Sequence, residues 1–318
     1  MPTDIAAAVV VTDIKKTLGD VVAVNGVSFT VAPGEIVSLL GPNGAGKTTT
    51  FSMICGLLRP DAGHVSVCGY SLVDDPLSAK AELGVVPQNL AIYEDLSTRE
   101  NLVFFAKMYG LASRRLAARV DDVLEVIGLV DRAKERVGTF SGGMKRRLNL
   151  GIALLHEPKV VLMDEPTVGI DPQSRRHILD GVKALNARGT SVLYSTHYME
   201  EAEALSDRVV ILDHGVVVDS GTPAELKMRV GEHARVTLVV DGDDAARDRA
   251  AIAFRGLDAV ARVDVDADIV VLTTDADRLL PQLLGVAVDS HLRVRSVSVD
   301  APDLESVFLQ LTGRRLRD

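Results

Sequence analysis

The chain has 318 residues, enough for two domains or one large one. A net charge of −9 argues against a broad nucleic-acid or anionic-membrane surface, so no nucleic-acid partner is expected. Cys55 and Cys68 are too few for a disulfide scaffold and too far apart for a metal-binding pair, which points to a reducing compartment.

Residues from about 6 to 31 are rich in valine, with Gly19-Asp20 and Asn25-Gly26 as turn signals, and predict short antiparallel strands. The apolar run at 6–11 has no basic leader and is not read as a signal peptide. After a turn at Pro33-Gly34, residues 35–40 read as a short buried strand. It leads into Gly41-Pro42-Asn43-Gly44-Ala45-Gly46-Lys47-Thr48, a phosphate-binding loop pattern, and residues 47–58 follow as a helix. Glycines let the backbone wrap an anion with its N–H groups turned inward, and the helix N-terminus adds its positive end. Lys47 is expected to reach the outer phosphates, and Thr48 to bind Mg²⁺ through its hydroxyl.

Residues 58–63 predict a helix stop and turn, 65–69 a strand, and 83–88 a second strand ending in the loop that carries Gln88. Between about 96 and 129, Leu102, Phe105, Met108 and Tyr109 recur at helical spacing, as do Val120, Val123, Leu124 and Ile127, so a helical insertion is predicted. Ser141 is placed to cap a helix whose apolar stripe is Met144, Leu148, Ile152 and Leu155, with Lys145, Arg146 and Arg147 on its other faces. Residues 160–163 read as a buried parallel strand, followed by a helix at 173–188, a strand at 191–195 and a helix at 199–206. Strands at 209–212 and 216–218 flank a turn at Gly215, and Thr222-Pro223-Ala224-Glu225 is a helix start. No lysine occurs beyond Val230-Gly231, where a composition shift suggests a boundary. Strands are predicted at 236–240, 269–272 and 294–299 and helices at 244–254, 277–284 and 303–311, as a small β-α-β-β-α-β-like domain with an extra terminal helix.

Asp164 and Glu165 follow the apolar strand and have separable tasks. Asp164 is suited to holding Mg²⁺ directly or through water, and Glu165 to orienting or deprotonating the water that attacks a terminal phosphate.

With Phe140-Ser141-Gly142-Gly143-Met144 about twenty residues before this pair, the sequence resembles the ATP-binding subunit of an ABC transporter, more closely the daunorubicin/multidrug-resistance class of export ATPases. Phe140 and Met144 depart from the usual leucine and glutamine of the signature, while its Ser-Gly-Gly core is intact. The resemblance covers residues 1 to about 230 and continues into 302–313. It implies an α/β P-loop NTPase of ABC type at 1–230, with an antiparallel β subdomain and a helical subdomain at about 89–157, and a small α+β accessory domain at 231–318.

The resemblance further implies ATP and Mg²⁺ as cofactors and assigns roles. Residues 41–48 and Thr49 bind nucleotide. Gln88 senses Mg²⁺ or the attacking water and couples to a membrane subunit, and His197 contacts the terminal phosphate. Asp171, in Val168-Gly169-Ile170-Asp171, lies in the loop that crosses between subunits. Leu18 stands nearest the position of an aromatic residue that commonly stacks on adenine. Two copies are expected to meet head to tail, so that Ser141, Gly142 and Gly143 of one complete the site formed by Lys47, Thr48, Gln88, Asp164, Glu165 and His197 of the other.

No apolar run here approaches the roughly 18–20 residues of a spanning helix. The cycle is therefore expected to drive separate transmembrane permease subunits that hold the chain at the cytoplasmic face of the cell membrane, moving a drug-like or lipid-like molecule outward. A soluble ABC-type mechanical or regulatory ATPase acting on nucleic acid or protein is the second reading. Such proteins often carry two cassettes or a long coiled-coil insertion, and this sequence has neither.

Overall fold

A computed structural model describes residues 7–229, 234–300 and 303–312. The chain divides into two compact units, the first running to Pro223 and the second beginning at Ala224. The composition shift at Val230-Gly231 lies outside the described residues.

The first unit contains two sheets. In the smaller, β1 (Val9–Leu18) and β2 (Val21–Val31) form a hairpin, and β4 (Ala62–Val67) and β5 (Tyr70–Ser71) extend it in the order β2-β1-β4-β5. The hairpin turns at Gly19-Asp20, as expected. Asn25-Gly26 is not a turn. Ile14 pairs with Val27 and Lys15 with Asn25, so Gly26, at φ 79°, is the extra residue of a bulge within a longer strand.

The larger sheet has the order β10 (Val216–Gly221), β9 (Arg208–Asp213), β3 (Ile36–Leu40), β8 (Ser191–Thr196), β7 (Val160–Asp164) and β6 (Leu83–Val86). From β9 to β6 every pairing is parallel, and β10 closes the edge antiparallel. Every residue of β3, β7 and β8 is buried, because both faces of this sheet are covered. Strand alternation divides them. Leu162 and Leu193 join β1, β2 and α1 (Lys47–Ile54) in one core. Met163 and Tyr194 join α5 (Gly142–Leu154), α6 (Pro172–Asn186) and α7 (Met199–Leu205) in another. Helix α1 ends earlier than predicted because Gly56, at φ 64°, turns the chain and the Leu57 and Leu58 amides return to the Ser52 carbonyl.

A short helix, α2 (Pro76–Ala81), precedes β6. The helical insertion follows as α3 (Thr98–Met108) and α4 (Ser113–Val126), packed with α5 around Leu102, Val120, Leu124, Leu148 and Ile152. The buried face of α3 differs from prediction. It is Thr98, Asn101, Leu102 and Ala106, while Met108 is 71% exposed. Asn101 takes the inward position because its amide donates to the Tyr93 and Ser97 carbonyls and its oxygen accepts from the Tyr93 N–H. Helix α8 (Pro223–Arg229) begins at the predicted proline.

The second unit places β11 (Ala234–Asp241), α9 (Asp244–Arg255), β12 (Val260–Val265), β13 (Ile269–Thr273), α10 (Ala276–Asp289), β14 (Arg293–Asp300) and α11 (Leu304–Thr312) in succession. Its antiparallel sheet has the order β12-β13-β11-β14, the split β-α-β arrangement. Phe254, Leu279 and Leu283 cover the inward residues Val236, Leu238 and Val271. The expected topology holds, and β12 supplies a strand for which no range was predicted. It is an edge strand with only Val263 buried, so its sequence lacks a clear apolar alternation.

Candidate nucleotide site

The parallel strands all end on one side of the larger sheet, and the loops after β3, β6, β7 and β8 carry the candidate residues there. The loop at 41–46 is held tightly. A Cβ on Gly41 would lie 2.3 Å from the Leu212 carbonyl oxygen, and one on Gly46 would lie 2.5 Å from that of Ala23. The Gly215 N–H donates to the Ala45 carbonyl, and the Asn25 N–H donates to that of Gly215. The turn between β9 and β10, together with β2, therefore braces the loop through main-chain contacts.

Lys47, Gln88, Glu165 and His197 converge. Lys47 Nζ donates to the carbonyls of Gly41 at 2.7 Å and Pro42 at 3.0 Å, and lies 3.1 Å from Glu165 Oε1. The Gln88 amide donates to Glu165 Oε2 at 3.1 Å, and His197 Nδ1 lies 3.3 Å from Oε1. Glu165 is 5% exposed. Burial pushes its carboxyl up, but the Lys47 charge and the hydrogen bonds from Lys47 and His197 outweigh burial and hold it below the ordinary glutamate value. Glu165 is therefore ionised at neutral pH. Its backbone is at φ 45°, a left-handed conformation costly for a residue with a side chain. The Glu165 N–H is fixed there by Ser195, whose hydroxyl accepts at 2.9 Å and whose carbonyl accepts at 3.2 Å.

Asp164 behaves oppositely. Burial pushes its carboxyl above the usual range and the Glu165 charge adds to this, while hydrogen bonds from Ser195 and Thr48 and the Lys47 charge work against it. The Ser195 hydroxyl donates to Asp164 Oδ1 at 2.6 Å. Thr48, Asp164 and Gln88 carry oxygens of the kind a hard divalent cation takes, and the Thr48 hydroxyl stands close enough to Asp164 to favour its ionised form. Among the described residues no group of three His, Cys, Asp or Glu side chains is placed to hold a metal. Mg²⁺ shared with phosphate oxygens fits such a partial set. Ionised Asp164 is thus a local cost to the protein alone. We expect Asp164→Asn to melt at or above the parent temperature at neutral pH while Mg²⁺-dependent nucleotide binding falls, as followed by thermal denaturation and titration.

Among the described residues, the remaining candidates make no hydrogen bond or ion pair to Glu165. Ser141 caps α5 by accepting from the Met144 N–H, and Asp171 caps α6 by accepting from the Ser174 N–H. The two caps pack together. A Cβ on Gly143 would lie 2.0 Å from Ser174 Oγ, and one on Gly142 would meet only Ile170, at 3.9 Å. Among the described residues, no hydrogen bond or ion pair joins Ser141, Gly142 or Gly143 to Lys47, Glu165 or His197. Leu18 is 46% exposed at the tip of the β1–β2 hairpin, and Asn43 and Gly44 are exposed on the phosphate loop, with Thr49 half-buried behind them.

Sequence reasoning missed three contributors. Ser195 ends the strand predicted at 191–195 and is assigned no role there, although a polar residue closing an apolar strand is a signal. Arg146 is placed by the sequence only on a non-apolar face of its helix, and Asn149 is assigned nothing. Instead, the Arg146 guanidinium donates to the Gln88 and Pro87 carbonyls, and Asn149 accepts from the Ala91 N–H at 3.2 Å. They tie the loop of Gln88 to α5, the helix that begins at the signature.

The sequence pattern of the family described as "ABC transporter" matches residues 24–168. The linearmycin resistance ATP-binding protein LnrL of Bacillus subtilis (strain 168) is 46% identical over 309 residues, covering 96% of this chain and 98% of that protein. This chain belongs to the ABC transporter ATP-binding subunits. It is an ATP-hydrolysing ABC-transporter ATPase, related to export ATPases. The Nod factor export ATP-binding protein I of Rhizobium sp. (strain N33) is 39% identical over 95% of the chain and 96% of that protein. Among solved structures, the dimeric post-hydrolysis state of the ATP-binding cassette MJ0796 bound to ADP and Pi matches with a TM-score of 0.61 at 26% identity, covering 67% of this chain and 98% of that one. No helix among the described residues is long and apolar enough to cross a membrane, which fits an ABC ATPase subunit partnered with transmembrane permeases.

Proposed function

We propose that this ABC ATPase drives export of a drug-like or lipid-like molecule through separate permease subunits, bound as a head-to-tail dimer at the cytoplasmic face of the membrane. The observation that carries the catalytic part is Glu165, an ionised, buried carboxylate with Gln88 on one oxygen and Lys47 and His197 on the other. Lys47 is placed to meet the outer phosphates of ATP, and Thr48, Asp164 and Gln88 would hold Mg²⁺, whose charge would offset that of the phosphates. Glu165 orients the attacking water and takes its proton, and His197 stands beside the terminal phosphate. Recruiting Lys47 to phosphate removes the charge that holds the Glu165 carboxyl down. Its basicity therefore rises when substrate is in place.

The dimer reading is supported by the absence, among the described residues, of any hydrogen bond or ion pair between Ser141, Gly142 or Gly143 and the Lys47–Glu165 cluster, and by the dimeric cassette among the similar structures. Export is supported by relatives named for linearmycin resistance and Nod factor export. For the permease contact, the loop of Gln88 continues into an exposed apolar area. Leu90, Tyr93, Phe104, Met108 and Tyr109 are all exposed, and the Tyr93 and Phe104 rings pack edge to face at 4.9 Å. Such a patch is suited to an apolar cytoplasmic segment of the permease.

The test is co-purification with the product of a neighbouring gene that has about six apolar segments long enough to span a bilayer. We expect association and a change in ATP turnover. Met108→Asp with Phe104→Asp should abolish association while leaving nucleotide binding intact. No association and no transport in vesicles would reject the export reading.

A further inference from the structure

Glu201, on α7, is 2% exposed and outside the set of candidate site residues. Its Oε2 accepts from three hydroxyls: Thr167 at 3.0 Å, Tyr194 at 2.9 Å and Thr196 at 2.9 Å. Its Oε1 lies 3.3 Å from Arg175 Nε, an ion pair whose atoms are not aligned as a hydrogen bond. Burial and the Glu201 charge push the Tyr194 phenol well above its ordinary range, so it remains a donor.

Each partner leads to a different part of the candidate site. Thr167 lies in the loop between Glu165 and Asp171. Thr196 also accepts from the Tyr198 N–H at 2.9 Å, which sets the turn carrying His197. Arg175 is in the first turn of α6, the helix capped by Asp171. Its guanidinium stands 4.3 Å from the centre of the Tyr198 ring, and that ring lies 4.2 Å from the ring of His197. A carboxylate withdrawn from water is an expensive way to fill space, and an apolar side chain would pack there at lower cost. What the carboxylate provides is a single point that several donors must share.

We propose that Glu201 is a positioning residue for ATP hydrolysis, fixing His197 and the Asp171 end of α6 relative to Glu165 through Thr167, Thr196 and Arg175. The inference rests on the assignment of Glu165 and His197 to the ATP site. It assigns Glu201 no contact with nucleotide, so the effect is on turnover and not on binding.

The experiment measures steady-state ATP hydrolysis and thermal melting of the purified full chain carrying Glu201→Gln, Thr167→Val, Thr167→Ser or Glu165→Gln. Thr167→Val keeps the shape and removes the hydroxyl, and we expect kcat to fall about tenfold with KM for ATP unchanged within roughly a factor of two. Thr167→Ser restores the donor and should recover most of kcat. Glu201→Gln keeps one oxygen for the hydroxyls but removes the charge that faces Arg175, and should also lower kcat; combining it with Thr167→Val should cost less than the product of the two falls, because both act on one carboxylate. Wild-type kcat in folded Thr167→Val and Glu201→Gln proteins would overturn the proposal. So would a fall in Thr167→Ser as large as in Thr167→Val. Normal turnover in Glu165→Gln would instead overturn the site assignment. An inactive Glu165→Gln beside fully active Thr167→Val and Glu201→Gln would reject positioning alone.

Discussion

Glu165→Gln is expected to retain ATP binding and to lose turnover by on the order of a hundredfold or more. The substitution is nearly isosteric, so the backbone at φ 45° and the Glu165 N–H bonds to Ser195 stay in place. What disappears is the negative charge that accepts a proton. Lys47 loses its ionic partner but keeps the Gly41 and Pro42 carbonyls, and it is freed for phosphate. The variant should therefore hold ATP at least as well as the parent and accumulate as a nucleotide-bound dimer on size-exclusion chromatography. Turnover within a few-fold of the parent would remove Glu165 from the role of base.

The same carboxylate sets a pH dependence. Its folded pKa is depressed, so its contribution to stability is present above the unfolded glutamate value and is lost as pH falls through the folded value. Asp164 has the opposite sign. Its raised folded pKa means that its ionisation costs stability, and that cost is relieved as pH falls through the folded value.

The second large effect is expected at Gly142, where the chain itself has room for a side chain. A Cβ there meets only Ile170, at ordinary contact distance, and an aspartate at the start of α5 is favourable to the helix. Gly142→Asp is therefore expected to fold, melt normally and bind ATP, yet to lose most turnover, because in the proposed head-to-tail dimer the added carboxylate would face the phosphates bound by a second copy. Gly143 is unsuitable for this test, since its Cβ would collide with Ser174 in the same chain.

Mixing distinguishes the two arrangements. Lys47→Ala and Gly142→Asp chains are each expected to be inactive alone. In a head-to-tail pair, one of the two sites then combines an intact Lys47 with an intact Gly142. Random pairing should restore about a quarter of parent activity. Mixed dimers that form and show no recovery would mean that each chain completes its own site.

The legible part of the site was the part whose chemistry constrains residue type at close spacing. Backbone approach to phosphate needs glycines, and a cation and a hydroxyl must follow at once, so residues 41–48 could be read locally. Asp164 and Glu165 were legible because carboxylates ending an apolar strand are conspicuous. By contrast, Arg146 and Asn149 act on a loop nearly sixty positions away, and nothing beside them in sequence marks Pro87 or Gln88 as their target. The Asn25-Gly26 pair shows a related limit. A local turn signal was absorbed into β2 as a bulge because pairing with β1 continued on both sides of it. Met108 shows another. Helical spacing was correct for α3, but Asn101 took the inward face once its amide found the Tyr93 and Ser97 carbonyls.

The sequence alone marked the glycine-rich loop at 41–48, most of the order of α and β elements and the adjacency of the two carboxylates. These depend on short-range periodicity and on residues that are neighbours in the chain. Only the tertiary structure decided that Glu165 is held ionised while Asp164 is pushed towards its neutral form. The two are adjacent in sequence. Lys47, Gln88 and His197 converge on Glu165, whereas Ser195 and Thr48 supply Asp164 with hydrogen bonds that do not offset its burial. Burial and charge proximity are set by which strands neighbour one another in the sheet, and that order is not the order of the chain.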